Sequence, residues 1–211
     1  MNYIITIARG FGSGGLQVGL ELSRQLNIPC YYSQILAMAS DTSGISKEAF
    51  AMADEKLRGH NLLRLLKSSP NTDHILSPTD KKFTSDDNLF NIQAQVIREL
   101  AKSESCIIIG KCANWILKDY DNVISVYIEA PRAYCAKSII HRLGVTENEA
   151  HDLIEKTDRY RADYIKYYTG GTIWTDPVQY DMTLNTDRVG REKAAELIKS
   201  YIAIKFDGQA E

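Results

Sequence analysis

The sequence has no apolar run approaching the roughly 20 residues that cross a bilayer as a helix, so no membrane-spanning helix is expected. Its N-terminal apolar stretch, Tyr3 to Ala8, leads into glycines and not into a cleavage site, so no signal peptide is expected and the cytoplasm is the expected compartment. An excess of either charge is also missing. With 27 acidic and 25 basic residues the net charge is -2, which gives no general electrostatic reason to expect nucleic acid or membrane partners. The four cysteines, Cys30, Cys106, Cys112 and Cys135, include no CxxC pair and read as reduced, buried thiols. His60, His74, His141 and His151 lack metal-ligand spacing, and no nucleophile is paired with a base, so zinc and triad chemistries find no support.

What is present is a strand–helix alternation. Tyr3 to Ala8, Ile28 to Tyr32, Cys106 to Ile109 and Val123 to Ile128 are near-continuous apolar runs, as central parallel strands covered on both faces require. Tyr180 to Asn185 is a fifth, weaker candidate. Helical spacing follows the glycines (Leu16, Leu20, Leu22, Leu26), recurs at Ile92, Val96, Ile97 and Leu100, and closes the chain at Ala194, Leu197, Ile198, Tyr201 and Ile202. This pattern predicts βαβ units and a parallel sheet. Two stretches interrupt it. Ser33 to Lys67 reads as helical with a break near Thr42-Ser43-Gly44, followed by a polar loop from Ser68 to Asn88. A long polar helix is expected from about Thr146 to Tyr168.

The strongest local signal is Arg9-Gly10-Phe11-Gly12-Ser13-Gly14-Gly15, directly after the first strand and before a helix. Glycines there permit positive φ and turn successive N–H groups toward an anion, and the helix adds its N-terminal partial charge. The full phosphate-loop pattern, GxxxxGK[ST], would place glycine at 9, lysine at 15 and a hydroxyl residue at 16 or 17. Arg9, Gly15, Leu16 and Gln17 stand there instead. Gly10, Gly12 and Gly15 also fit GxGxxG, but Tyr31-Tyr32-Ser33-Gln34 ends the second strand without the acidic residue that would hold a ribose. Phosphate loop, dinucleotide loop and plain tight turn thus all remain open at this level.

Taken together, several separated motifs resemble the cytidylate-kinase-like family. They are Arg9 with Phe11 to Gly15, Gly110-Lys111-Cys112-Ala113 after the third strand, the helix from Lys156-Thr157-Asp158 to Tyr167-Tyr168-Thr169-Gly170, and Asp176-Pro177 with Tyr180-Asp181 and Leu184-Asn185-Thr186. The resemblance implies a three-layer α/β/α P-loop kinase fold with a five-stranded parallel sheet. It also implies a single domain over 1–211, with an acceptor-binding insertion at about 33–88 and a lid with its following helix at about 144–170. The implied reaction is transfer of the ATP γ-phosphoryl group, with Mg²⁺, to a nucleoside monophosphate such as CMP or dCMP. The chain departs from the family at Ser33 and Gln34, where an acidic residue and arginine are usual, and at Leu16, where a basic residue is usual.

Phosphoryl transfer needs cations placed around the moving group more than it needs covalent chemistry. Arg9 and Lys111 follow strands at the edge of the sheet where ligands bind. The resemblance adds Arg159 and Arg161 from the lid. Lys156, Arg159, Asp163 and Lys166 share one helix face, and Arg161 points nearly opposite. These four basic residues, Arg9, Lys111, Arg159 and Arg161, are the candidate catalytic groups. Gly10, Phe11, Gly12, Ser13, Gly14, Gly15 and Leu16 form the candidate ATP-phosphate loop. No acidic residue is singled out for the metal. Asp54 and Glu55 are candidates for holding the acceptor or for pairing with Arg58, Asp181 for supporting Arg9 or the metal shell or for capping a turn, and Tyr160, Tyr164, Tyr167 and Tyr168 for helix packing or base stacking. The expected partners are small-molecule nucleotides, with the chain itself a monomer or homodimer. The alternatives are a catalytically weak or inactive nucleotide-binding regulator on the same scaffold and, further off, a dinucleotide-dependent oxidoreductase.

Overall fold

A computed structural model of the protein describes residues 2–56 and 74–206. Its centre is a five-stranded sheet in the order β2-β3-β1-β4-β5, with every neighbouring pair parallel. The strands are β1 (Ile4–Arg9), β2 (Cys30–Tyr31), β3 (Cys106–Ile109), β4 (Val123–Glu129) and β5 (Met182–Asn185). Only two residues of the apolar run from Ile28 join the ladder. Pro29 has no N–H to give, and its carbonyl alone takes part, accepting from Ile107 N at 2.9 Å.

Side chains alternate across the strands, so each central strand feeds two cores. Ile4, Cys106 and Ile108 join the cluster beneath α2 (Gln34–Ser43), α3 (Lys47–Lys56) and α4 (Asp86–Ser103). Ile5, Ile7, Ile107 and Ile109 pack with Val18 and Leu22 of α1 (Gly15–Leu26), and with Ala194, Ala195 and Ile198 of α9 (Arg191–Phe206). Among the described residues the remaining α-helices are α5 (Ala113–Ile116), α6 (Arg132–Leu143), α7 (Glu147–Tyr168) and α8 (Thr186–Val189). Among the described residues no helix is long and apolar enough to cross a membrane.

The two interrupting stretches have local causes. Gly44, at φ 73°, ends α2 at the expected break. The polar reading up to Asn88 overran a helix start: Ser85 caps α4, accepting from Asn88 N, with Asp86 and Asp87 in the first turn. Leu76 N donates to Asn88 Oδ1 at 2.8 Å and Asn91 Nδ2 to the His74 carbonyl at 2.8 Å, tying 74–85 to that helix. Helix α7 begins with a full capping box between Thr146 and Glu149. Its tyrosines dock it on α4: Tyr168 stacks on Phe90 with ring centroids 3.8 Å apart, and Tyr167 donates to Asp87 at 2.8 Å. Helix packing therefore accounts for Tyr167 and Tyr168. Residue 58 and the side chains of Asp54 and Glu55 lie outside the described part.

Candidate active site

The loop after β1 is held from inside. Ser13 is fully buried, its hydroxyl 2.8 Å from the Gly10 carbonyl and 3.1 Å from that of Ile128. Thr186 Oγ1 donates to the Ser13 carbonyl at 2.5 Å. Ser13 thus shapes the loop, and its hydroxyl faces the protein. Gly10 N–H donates to Ile128 O at 3.0 Å and is likewise committed. By contrast, no hydrogen bond among the described residues takes the N–H groups of Gly12, Gly14, Gly15 or Leu16, and α1 is preceded by Gly14 with no side-chain cap. The loop therefore leaves four backbone donors unpaired among the described residues at a helix N-terminus. Gly14 must be glycine: its φ is 91°, and a Cβ there would lie 2.5 Å from Arg191 Nε. The Leu16 side chain packs into the core under α1 and α9, so only its backbone belongs to the loop's open side.

One loop donor already has an anionic partner. Phe11 N–H donates to Asp158 Oδ1 at 2.8 Å. Asp158, on α7, is 5% exposed and also accepts from Arg132 at 2.5 Å and Arg161 at 3.3 Å. Arg161 in turn donates to the Arg9 carbonyl at 3.0 Å. Burial works against the charge of Arg161, with Asp158 opposing it, and the net effect is a lowered pKa. Burial also works against Arg132, yet its bond to Asp158 leaves that group raised. The guanidinium carbons of Arg142 and Arg161 lie 5.4 Å and 5.6 Å from the centroid of the Phe11 ring.

Arg9 completes this cluster. Burial, then the neighbouring Arg161, pushes its pKa down from 12.5 to about 9, with Asp158 opposing them. It accordingly stays charged at neutral pH. No hydrogen bond to its guanidinium is made by any described residue. The side chain lies against Gly110, where a Cβ would be 2.1 Å from Arg9 Nη1. From there it lines a cavity of about 270 Å³ with Lys111, Asn114, Tyr160, Arg161, Tyr164, Trp174 and the Tyr32-Ser33 turn. The rim of this cavity is strained. Gly110, Lys111 and Cys112 take consecutive left-handed conformations at φ 76°, 58° and 55°. The two non-glycine residues each cost roughly 1–2 kcal/mol, a kind of outlier that gathers at ligand sites.

Of the four candidate basic groups the structure brings Arg9, Lys111 and Arg161 together. Arg159 stays apart: it is exposed, on the outer face of α7, paired with Glu155. The expectation of a catalytic Arg159 therefore has no geometric support, because a helix puts residues 159 and 161 on nearly opposite faces. Asp181 is also elsewhere. It binds Ser125 N at 2.7 Å and Lys205 at 3.1 Å, below the loop end of the sheet. Burial raises its pKa, but these bonds outweigh that and leave it lowered.

Sequence reasoning passed over Asp158, Arg132, Glu129 and Arg191. Asp158 stands three residues before Arg161, one turn away on the same face. Glu129 ends β4 and Arg132 follows it, at the same sheet edge as Arg9. Either rule could have found them. Glu129 accepts from Tyr127 OH at 2.6 Å and Ala130 N at 2.9 Å, next to Gly10. Arg191 borders a second, open hollow of about 700 Å³ with Lys137, His141 and Arg142. Its Nε is buried without a hydrogen-bond partner.

A model of the cytidylate kinase-like family matches residues 4–188. The chain belongs to that family. A cytidylate kinase of Thermococcus kodakarensis is 29% identical to it over 105 residues, 49% of this chain and 52% of that protein. The match thus spans about half the length of this relative. An uncharacterized protein from Eubacterium ventriosum has a similar solved structure, with 28% identity, a TM-score of 0.69, and coverage of 95% of this chain and 98% of the other. Shikimate kinase from Bacteroides thetaiotaomicron shares the P-loop kinase fold at a TM-score of 0.50 and 13% identity, covering 95% and 98% of the two chains. In this cytidylate kinase-like chain the family match takes in the phosphate-loop region, the strained turn at Gly110 and the Asp158–Arg161 pair, and leaves Arg191 just beyond it.

Proposed function

We propose that this chain transfers the γ-phosphoryl group of ATP to a nucleoside monophosphate, with CMP or dCMP as the acceptor suggested by the relatives' names. The observation that carries the proposal is the row of open N–H groups at Gly12, Gly14, Gly15 and Leu16, set beside three arginines and an aromatic-walled cavity. The loop would hold the donor phosphates through backbone donors and the α1 dipole. Arg132 and Arg161 lie where charge on a transferred phosphoryl group would develop, and such preorganised cations stabilise a transition state more than a ground state. The cavity of about 270 Å³ would take the acceptor, its phosphate toward Arg9 and Lys111 and its base against Tyr160, Tyr164 or Trp174.

The residues also fit Mg²⁺ bound in the usual kinase manner, through one or two carboxylates together with substrate phosphates. Glu129, beside Gly10, is the carboxylate at the loop that could hold it, Asp158 being taken up by Phe11 N–H, Arg132 and Arg161, and no cluster of three or more His, Cys, Asp or Glu side chains occurs among the described residues. Bound there, the ion would neutralise charge between the donor phosphates.

The second reading, a binding protein without turnover, is favoured by Gly15 and Leu16 standing where lysine and a hydroxyl residue are usual. Release of ADP by purified protein with ATP, Mg²⁺ and a panel of CMP, dCMP, UMP and AMP separates the two. Turnover dependent on one acceptor supports the kinase. Stabilisation by ATP without turnover on any acceptor supports the binding protein.

A further inference from the structure

The loop lacks the usual lysine, and the geometry around Gly15 bears on which residue could serve instead. A Cβ at Gly15, the lysine position of the usual pattern, would lie 2.5 Å from the Cβ of Arg9 and 3.0 Å from its Cγ. Residues 9 and 15 therefore close the base of the loop so tightly that only one of them can carry a side chain. The usual pattern resolves this with glycine first and lysine last. This chain has the reverse, arginine at 9 and glycine at 15.

We infer that Arg9 is the loop's phosphoryl-binding cation, moved from the last position of the motif to the first by a reciprocal exchange of side chain and glycine. The inference rests on the kinase reading and names the residue that completes it. Three observations agree. The Arg9 side chain occupies the space into which a side chain at 15 would project. Its guanidinium has no hydrogen-bond partner among the described residues although burial weighs against its charge. It lines the acceptor cavity beside Arg161, between the loop and the end of β3.

The Arg9 side chain is half-buried, and a ligand anion would supply acceptors that no described residue gives it. Arginine also does what lysine in this place cannot. Its planar fork offers two parallel donors to phosphoryl oxygens, and its length takes the charge toward the acceptor side. The loop thus gives up a cation centred on the donor phosphates for one placed between donor and acceptor.

The test is a position swap, read first by thermal stabilisation with inorganic tripolyphosphate and ATP, then by turnover. Arg9→Gln keeps the length and loses the charge. It should fold, and its affinity for tripolyphosphate should fall at least tenfold. Arg9→Gly should behave likewise. The double variant Arg9→Gly with Gly15→Lys recreates the usual order and should recover at least tenfold over Arg9→Gly, whereas Gly15→Lys alone should lose stability from the collision with Arg9. Tripolyphosphate affinity unchanged within threefold in Arg9→Gln overturns the inference, as does a folded double variant no better than Arg9→Gly. If the wild-type protein binds neither tripolyphosphate nor ATP, the kinase reading itself falls and takes the inference with it. If it binds both without turnover, binding alone decides the role of Arg9.

Discussion

Replacing Asp158 with asparagine should make the empty protein less stable and its phosphate site stronger. Asp158 accepts from the Phe11 N–H, Arg132 and Arg161, the same donors that a donor phosphate would need. In the empty site it acts as their anion. Asparagine keeps an oxygen for Phe11 N–H but loses the charge facing two guanidinium groups. Breaking a buried pair costs roughly 3–5 kcal/mol, but the Arg132 side chain is 56% exposed, so solvent screens part of the loss. A net cost of about 2 kcal/mol follows, which is roughly 4–8 °C in Tm for a chain of this size. Binding should move the other way. A phosphate no longer competes with a carboxylate for charge-assisted bonds of about 1.5–3 kcal/mol each, so tripolyphosphate affinity should rise about tenfold, or ~1.4 kcal/mol. Differential scanning fluorimetry with and without tripolyphosphate measures both quantities. A variant that binds more weakly than wild type would refute the reasoning, because Asp158 would then support the arginines in the bound state and not stand in for the ligand.

Other substitutions probe the same geometry. Arg159→Ala should leave turnover unchanged and stability within about 0.5 kcal/mol, since it removes only an exposed pair with Glu155; a tenfold loss of kcat would return Arg159 to the site. Gly110→Ala should push the Arg9 guanidinium aside and add left-handed strain of roughly 1–2 kcal/mol, seen as a lower Tm together with weakened tripolyphosphate binding. Thr146→Ala breaks the α7 capping box and should cost about 1 kcal/mol by urea unfolding. The lowered pKa of Asp181 gives stability that is present above its ordinary 3.8 and lost as pH falls through the folded value. Asp181→Asn should therefore destabilise at neutral pH and bring little change in strong acid, with unfolding curves at the two pH values as the check.

Much of the fold was legible because parallel strands buried on both faces leave near-continuous apolar runs, as at β1, β3 and β4. The run at Ile28 misled by length, because the missing N–H of Pro29 is a backbone matter that hydrophobicity does not register. The start of α4 was hidden by its own capping chemistry: Ser85, Asp86 and Asp87 look like loop and act as a helix N-terminus. At the site, the glycine loop and Arg9, Lys111 and Arg161 could be read from strand ends and helix phase. Asp158 was passed over although it stands one turn before Arg161 on the same helix face; that phase gives its neighbour, but not its burial against a loop 147 residues away in sequence. In the sequence positions 9 and 15 show only a missing lysine; that a Cβ at Gly15 would fall 2.5 Å from the Arg9 Cβ is a property of the folded loop.

The most direct test of the account is transfer of label from [γ-³²P]ATP to CMP and dCMP by wild-type protein and Arg9→Gln side by side. The account predicts labelled nucleoside diphosphate with wild type and at least a tenfold lower rate with the variant. Equal transfer by both proteins, or label on no acceptor while ATP binds normally, would contradict it.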